Sequence, residues 1–247
     1  LGPQARGQPA AVLPEPGEQP RFFRTPQHAA REGKRVSLAL QLDADGTLRG
    51  SGEEVYEGFS AAWLKASLER LSLERRRQAV ESSIARTFEG ASLVEMKIDE
   101  EERAGAPVAV RYRFLAPGFA RREGGRLVVA RGLYPADLGR RFLALAERQT
   151  PLLVASPERV DLQVQLSVPA GFSLAGEPQS TRLESPFGSY QRVERPTADG
   201  LGLEESLRIE LSRVPPEQYR AFGDFLVAVD RAQGREWVFQ EAAVPPR

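Results

Sequence analysis

The alternation of hydrophobic and polar positions changes period several times along this chain, and the strongest helical pattern lies near the C-terminus. Pro215 or Pro216 suits the first turn of a helix, and Gly234 suits the left-handed position just past its end. Between them, apolar residues form a stripe about 120° wide at ~100° per residue. Its members are Tyr219, Phe222, Phe225, Leu226 and Val229. The pattern predicts a helix over 215–233 whose aromatic face belongs to a hydrophobic core rather than to a ligand site.

Strict alternation predicts β-strands over much of the remaining chain. The clearest segment runs from Val160 to Val168, where apolar and polar residues exchange at every step. Residues 36–42 alternate in the same way and are followed by Asp43-Ala44-Asp45-Gly46, which predicts a hairpin turn with a positive φ at Gly46. Further short strands are predicted over 47–57, 94–98, 108–114, 127–129, 181–183, 188–193, 203–211 and 236–239.

Three shorter helices are predicted between these strands. The first begins near Phe59, and Ser72 is placed to cap the second. The third spans 135–147 and is interrupted by Gly139. The second and third helices have apolar residues at core spacing, which are Leu73, Val80, Ile84 and Phe88, and then Leu138, Phe142 and Leu145.

Together these elements predict an α+β fold of antiparallel, sandwich-like β-sheets with helices packed on one face. We expect two subdomains that meet near residues 145–157: a first α+β unit over 34–147 and a β-rich unit over 148–240 that carries helix 215–233. Residues 1–33 are Pro-rich, and their apolar residues follow neither the helical spacing nor the alternation of a strand. This composition predicts a linker or strap. Its Arg21-Phe22-Phe23-Arg24 segment could dock on the following domain or on a missing neighbour. Residues 241–247 are predicted to be a tail.

Composition narrows the chemistry that the chain can perform. Lys plus Arg and Asp plus Glu both number 34, so no overall field favours nucleic acid. There is no Cys, which removes thiolate nucleophiles and thiolate metal sites. The one histidine, His28, lies in the Pro-rich segment, where a solvated side chain is expected rather than a triad or metal ligand.

Several local motifs suggest chemistry but fit a structural role better. Gly50-Ser51-Gly52 lacks the rest of a nucleotide loop, so a bulge or a close backbone contact is expected. The basic run Glu74-Arg75-Arg76-Arg77 predicts a solvated, salt-bridged helix face. Asp99-Glu100-Glu101-Glu102 lacks the oxygen spacing of a Ca²⁺ loop and predicts an acidic turn. No catalytic, cofactor or metal residues are therefore assigned.

Paired carboxylates would suggest an enzymatic alternative. Glu53 and Glu54, and likewise Glu204 and Glu205, are adjacent in predicted strands. Because successive strand residues point to opposite faces, neither pair can flank one glycosidic bond.

Two features of the sequence bear on the gene product and the genome from which it comes. The chain starts at Leu1 with Met96 as its sole methionine, which predicts a fragment of a longer product. The absence of Asn and the presence of only three lysines indicate a GC-rich bacterial genome. No stretch approaches the ~20 apolar residues of a membrane span.

The second half contains segments that identify a resemblance: Val168-Pro169-Ala170-Gly171-Phe172, Ser185-Pro186-Phe187-Gly188-Ser189-Tyr190 and Pro215-Pro216-Glu217-Gln218-Tyr219. They resemble the C-terminal region of bacterial transglutaminase-like envelope proteins. The segments 35–42, 45–50, 58–62 and 148–152 resemble earlier parts of the same region, so that the resemblance covers about 34–240. In that family a β-sandwich precedes a papain-fold core with a Cys-His-Asp triad, and a β-rich region follows. No family catalytic residue has a counterpart here.

The resemblance implies a neighbour rather than a reaction. The leading hypothesis is a non-catalytic accessory or interaction region that contacts an upstream papain-like domain or another envelope protein. The periplasm or cell envelope is then the expected location, with the cytoplasm as the alternative. The second hypothesis is a carbohydrate- or peptide-binding β-module in which Trp63, Tyr112, Tyr190 or Trp237 act as stacking platforms.

Overall fold

The computed structural model describes residues 8–15, 19–25, 32–100, 103, 105–130, 132–154, 158–209 and 213–241. Within these residues the strands are β1 (Pro9–Val12), β2 (Arg21–Arg24), β3 (Gly33–Leu42), β4 (Leu48–Glu57), β5 (Ser92–Glu100), β6 (Val108–Ala116), β7 (Arg121–Glu123), β8 (Arg126–Val129), β9 (Leu152–Leu153), β10 (Glu158–Ser167), β11 (Phe172–Leu174), β12 (Ser180–Ser185), β13 (Gly188–Thr197), β14 (Gly200–Ile209), β15 (Arg213–Val214) and β16 (Trp237–Glu241). The α-helices are α1 (Phe59–Glu69), α2 (Leu73–Thr87), α3 (Leu138–Phe142) and α4 (Tyr219–Gln233). A 3₁₀ turn, Pro216–Gln218, leads into α4.

Eight strands form the main sheet, in the order β12-β13-β14-β10-β3-β4-β6-β5. Every neighbouring pair is antiparallel except β10 and β3, which run parallel with Leu162 opposite Val36. This pairing joins strands from both predicted subdomains, so the sheet is continuous across the expected boundary at 145–157. The division of the chain into two subdomains stays a prediction.

Alternation along the strands gives the main sheet two distinct faces. The covered face carries Val36, Leu162 and Val110, all buried, and every helix that packs on the sheet lies on this side. The four-stranded sheet β11-β16-β8-β7 lies there as well, with Trp237 and Phe239 fully buried in the shared core. The open face carries the intervening polar residues. These features confirm an α+β fold with antiparallel, sandwich-like sheets and helices on one face.

The helix pattern at the C-terminus is confirmed in its buried stripe and corrected at its end. All five stripe residues are buried, and Phe222 contacts Phe187 and Phe142 edge-on at 5.5 and 6.0 Å between ring centroids. Gly234, however, has a φ of −79°, so the predicted left-handed residue after α4 is wrong. The Gly234 N–H instead continues the helical pattern by donating to the Asp230 carbonyl.

Two apolar positions predicted to face the core are exposed. Leu73 is the first residue of α2, directly after the Ser72 cap, and is 79% exposed. Leu145 is 53% exposed because α3 is shorter than predicted. The Tyr219 hydroxyl lies at hydrogen-bond distance from two carbonyls at and beyond the end of α3, 3.2 Å from that of Phe142 and 2.9 Å from that of Leu145.

The N-terminal segment, predicted to be a linker or strap, contains two short strands. Residues 9–12 and 21–24 pair as a two-stranded antiparallel sheet in which Ala10 lies opposite Phe23. Backbone hydrogen bonds hold these two strands together. The strands were not predicted because the side chains of this segment do not alternate between apolar and polar. Phe22 is 80% exposed. His28 lies outside the described residues.

Candidate functional site

Most of the aromatic platforms expected from the sequence lie in the core. Tyr112, Tyr190 and Trp237 are all buried, because their strand positions place them on the covered side of the main sheet or between the two sheets. The prediction that they stack on a ligand at the surface is therefore wrong for these three. Trp63, on α1, is 64% exposed and is available to a ligand.

Each candidate carboxylate pair is split by the sheet, as alternation requires. Glu54 and Glu205 are buried on the covered face, whereas Glu53 and Glu204 lie on the open face and pair with Arg111 and Arg195. Neither pair brings two carboxylates to one side of a substrate.

The remaining motifs have structural roles. A Cβ built on Gly50 would lie 2.2 Å from the Phe114 ring, which confirms the predicted close approach to the backbone. Arg76 donates to the carbonyls of Leu68 and Leu71 and pairs with Glu100 at 3.0 Å. Thus one arginine of the basic run ties α1, α2 and β5 together. The described residues contain no cluster of three or more metal-ligating side chains, and Glu101 and Glu102 lie outside them.

The main polar cluster on the covered face surrounds the Glu54 carboxylate. Its Oε2 accepts hydrogen bonds from the Tyr56 hydroxyl at 2.6 Å and from Lys34 Nζ at 3.3 Å. Its Oε1 accepts from the hydroxyls of Tyr134 at 2.9 Å and Tyr112 at 3.1 Å. Lys34 also donates to the Tyr134 hydroxyl. We call these five residues the Glu54 cluster.

The electrostatics of the Glu54 cluster favour the ionised carboxylate. Burial alone would raise the pKa of Glu54, but the Lys34 charge and the three tyrosine hydroxyls outweigh burial and hold that pKa below its ordinary value. The pKa values of Tyr56, Tyr112 and Tyr134 are raised by burial and by the neighbouring Glu54 charge, so the phenols stay protonated and act as donors. Within the cluster the Glu54 carboxylate therefore acts as the acceptor and the three phenols act as donors.

A pocket of about 300 Å³ lies beside the Glu54 cluster, between α1, α2 and the main sheet. We call it the helix pocket. Its walls are mostly apolar, and the residues that form them include Leu64, Leu68, Leu71, Val80, Ile84, Ile98 and Val110. Tyr56, Tyr112 and Glu54 line its polar end, Trp63 lines it from α1, and Arg86 lines it from the last turn of α2. Sequence patterns do not reveal this pocket, because its walls come from separate elements.

A second buried network lies in the same row of the covered face, where β10 and β3 separate Glu205 from Glu54. Arg192 donates to Glu205 at 2.8 Å and to Glu194 at 3.0 Å, and its guanidinium lies 5.0 Å from the centre of the Trp237 ring. Trp237 Nε1 and Arg235 both donate to Glu194. Burial raises the pKa of Glu205 although Arg192 opposes the shift. Each charge in this network has an opposite partner, and the contacts join β13, β14 and β16.

The open face of the main sheet contains a trough of about 560 Å³. Its floor is formed by small or uncharged side chains, which are Ser37, Ala39, Ser51, Gln163 and Gln165. Arg111 and Arg113 stand on one wall, where Arg111 pairs with Glu53 at 2.5 Å and with Asp99, and Arg113 pairs with Glu95. The trough therefore presents both signs of charge around an uncharged floor.

Part of this chain matches the model of a protein family of unknown function. The model of a family described as a domain of unknown function with a solved structure (DUF3858) matches residues 136–239. The matched segment runs from just before α3 to β16 and includes α4 and Arg192. No curated protein matches the chain.

One solved structure is similar over part of the chain. It is a protein of Parabacteroides distasonis described as a "putative protease", with 16% sequence identity and a TM-score of 0.41. The match covers 48% of this chain and 24% of that protein, so this chain spans about a quarter of the length of that structure. In the part of the chain that the structure describes, the helices are too short or too polar to cross a membrane.

Proposed function

We propose that this chain is a non-catalytic accessory region of a larger bacterial transglutaminase-like protein, and that it contacts the papain-like domain of that protein through its open sheet face. The observation that carries the proposal is the trough on this face. The sequence resemblance over residues 34–240 supplies the identity of the neighbour.

The trough suits a folded protein surface better than a polyanion. Its walls carry Arg111 and Arg113 together with Glu53 and Glu95, so a phosphate backbone would meet carboxylates as well as guanidinium groups. A protein surface of mixed charge can oppose each wall with its complement. Of the trough residues only Tyr112 is aromatic, and its hydroxyl points to Glu54 on the covered face.

The charged groups elsewhere support a role without catalysis. Glu54 accepts from four donors, and Glu194 and Glu205 share Arg192, so these buried carboxylates are held in structural networks. Acyl transfer of the papain type needs a thiolate, and the sequence has no Cys.

The test measures binding of the chain to the purified upstream region by isothermal titration calorimetry. We expect saturable binding that the double variant Arg111→Glu/Arg113→Glu weakens by at least about tenfold, because like charges then meet across the interface. The control is Arg75→Glu/Arg140→Glu, which makes the same change in net charge away from the trough and should leave binding unchanged. Equal binding by both double variants would refute the assignment of the interface.

Activity assays test the non-catalytic part separately. The chain alone should show no turnover in acyl-transfer, peptidase or glycosidase assays. Turnover that a single substitution within 34–240 abolishes would overturn this proposal, whatever the binding result.

The second hypothesis, a carbohydrate- or peptide-binding module, is supported by the exposure of Trp63. A change in tryptophan emission on titration with oligosaccharides or peptides, lost in Trp63→Phe, would favour it over the accessory role.

A further inference from the structure

We propose that the helix pocket binds a small organic anion with an apolar body, whose acidic group pairs with Arg86. The site is separate from the trough and does not depend on the accessory role. The walls, the polar end and the rim of the pocket each restrict the ligand.

The walls require an apolar body of limited size. Leu64, Leu71, Val80 and Ile98 line the pocket while remaining only partly buried, so apolar surface is left for a ligand to cover. The pocket has a volume of about 300 Å³. This volume lies at the lower end of the range for small-molecule sites, which fits a chain of about eight to ten carbons.

The polar end excludes a cationic ligand. The Glu54 carboxylate is the acidic group that lines the pocket, but its two oxygens already accept from Lys34, Tyr56, Tyr112 and Tyr134. A carboxylate has about four acceptor positions, so Glu54 has none left for an ammonium group. The neighbouring Lys34 also balances its charge.

The rim supplies a cation for the acidic group. Two arginines line the pocket, and Arg76 is already paired with Glu100. Arg86 is exposed, and none of the carboxylates in the described ranges lies within ion-pair distance of it. Its guanidinium can therefore form a charge-assisted, bidentate pair with a carboxylate while the apolar body enters the pocket.

The probes are decanoate and, as a neutral analogue, 1-decanol, both held below their aggregation limits. Binding is measured by calorimetry and by tryptophan emission. Trp63 lines the pocket and is 64% exposed, whereas Trp237 is fully buried in the core, so a ligand in the pocket should change the Trp63 signal. We expect one saturable site for decanoate and weaker binding of 1-decanol.

Substitutions at the rim and in the walls distinguish the contribution of the ligand's acidic group to binding from that of its apolar body. Arg86→Gln should weaken decanoate binding roughly tenfold, as loss of a charge-assisted hydrogen bond implies, and should leave 1-decanol binding unchanged. Arg75→Gln removes the same charge from the same helix away from the pocket and should have no effect. Val80→Phe should abolish binding of both probes by filling the pocket. If that variant melts early, Ser67→Phe serves the same purpose.

The outcomes decide the proposal directly. Absence of saturable binding, or decanoate binding that survives both pocket-filling variants in folded protein, would overturn it. Equal loss of decanoate binding in Arg86→Gln and Arg75→Gln would show a general charge effect and overturn the assignment of Arg86. Neither result would bear on binding at the trough.

Discussion

The Phe114 ring on β6 lies directly over the backbone of Gly50, its register partner on β4. A Cβ built on Gly50 would lie 2.2 Å from Phe114 Cε1 and 2.9 Å from Leu40 Cδ2. The ring cannot easily move away, because it also stacks on Phe88 of the segment after α2, with ring centroids 4.4 Å apart. The glycine therefore makes room for an aromatic contact that links the sheet to the helical layer.

The first prediction follows from this contact. Gly50→Ala should lower the free energy of unfolding by roughly 1–3 kcal/mol, since the added methyl group forces the packed ring to shift. Gly202→Ala is the matched control, because a Cβ there would meet its nearest atom at an ordinary 3.5 Å within the same sheet. Urea denaturation of both variants measures the difference. Equal stability of the two variants would show that Phe114 moves aside without cost.

The second prediction concerns the buried stripe of α4. Phe222 is fully buried against the Phe187 and Phe142 rings, so Phe222→Ala should destabilise the fold by roughly 3–5 kcal/mol through lost burial and a residual cavity. Phe225→Ala should act in the same direction. Val227→Ala is the control on the same helix, since Val227 is 45% exposed and its change should stay within about 0.5 kcal/mol. A loss below about 1 kcal/mol for Phe222→Ala would contradict the packing described for α4.

Local patterns predicted the elements well where one face of an element is buried continuously. In α4 and in β10, the position of a residue along the element determines the face on which its side chain lies. The apolar pattern therefore predicts directly which side chains are buried. The parallel pairing of β10 with β3 could not be predicted in the same way. Alternation determines which face of a strand is apolar, but it does not determine the neighbouring strand or its direction.

The same distinction explains why the site was only partly predicted. Glu54 could be singled out by its sequence position, and alternation placed it opposite Glu53. Its donors come from β3, β4, β6 and the segment before α3, so no sequence spacing relates Lys34 to Tyr134. Trp63 shows a second limit of sequence patterns. Helical spacing alone does not distinguish an aromatic residue in the core from one at the rim of a pocket.

The third prediction concerns the N-terminal hairpin. Deleting residues 1–30 should change Tm by less than about 3 °C, which corresponds to ~1 kcal/mol for a chain of this size. The physical reason is that β1 and β2 pair with each other and are absent from the main sheet, and that Phe22 and Val12 are exposed. Differential scanning calorimetry of the full and shortened chains provides the measurement. A fall of 6 °C or more, roughly twice that limit, would mean that the hairpin stabilises the rest of the fold.

The fourth prediction concerns how the Glu54 cluster couples stability to pH. Because the folded pKa of Glu54 is held below its ordinary value, the ionised carboxylate contributes stability that is fully present above the unfolded pKa of ~4.3. That contribution is lost as the pH falls through the unfolded value towards the folded one. Glu54→Gln removes it at every pH, and should cost roughly 3–5 kcal/mol at pH 7 because it leaves Lys34 without its buried partner.

The test compares urea denaturation of wild type and Glu54→Gln at pH 7 and at about pH 3.5, where the unfolded carboxylate is mostly protonated. The stability gap between them should narrow at the lower pH, since the wild type then loses the advantage of the ionised form. Glu53→Gln is the control, because Glu53 lies on the open face, and its exposed pair with Arg111 is worth ~0–1 kcal/mol at either pH. A Glu54→Gln gap of the same size at both pH values would show that the cost comes from packing or hydrogen-bond geometry. The lowered pKa of Glu54 would then play no part in acid unfolding.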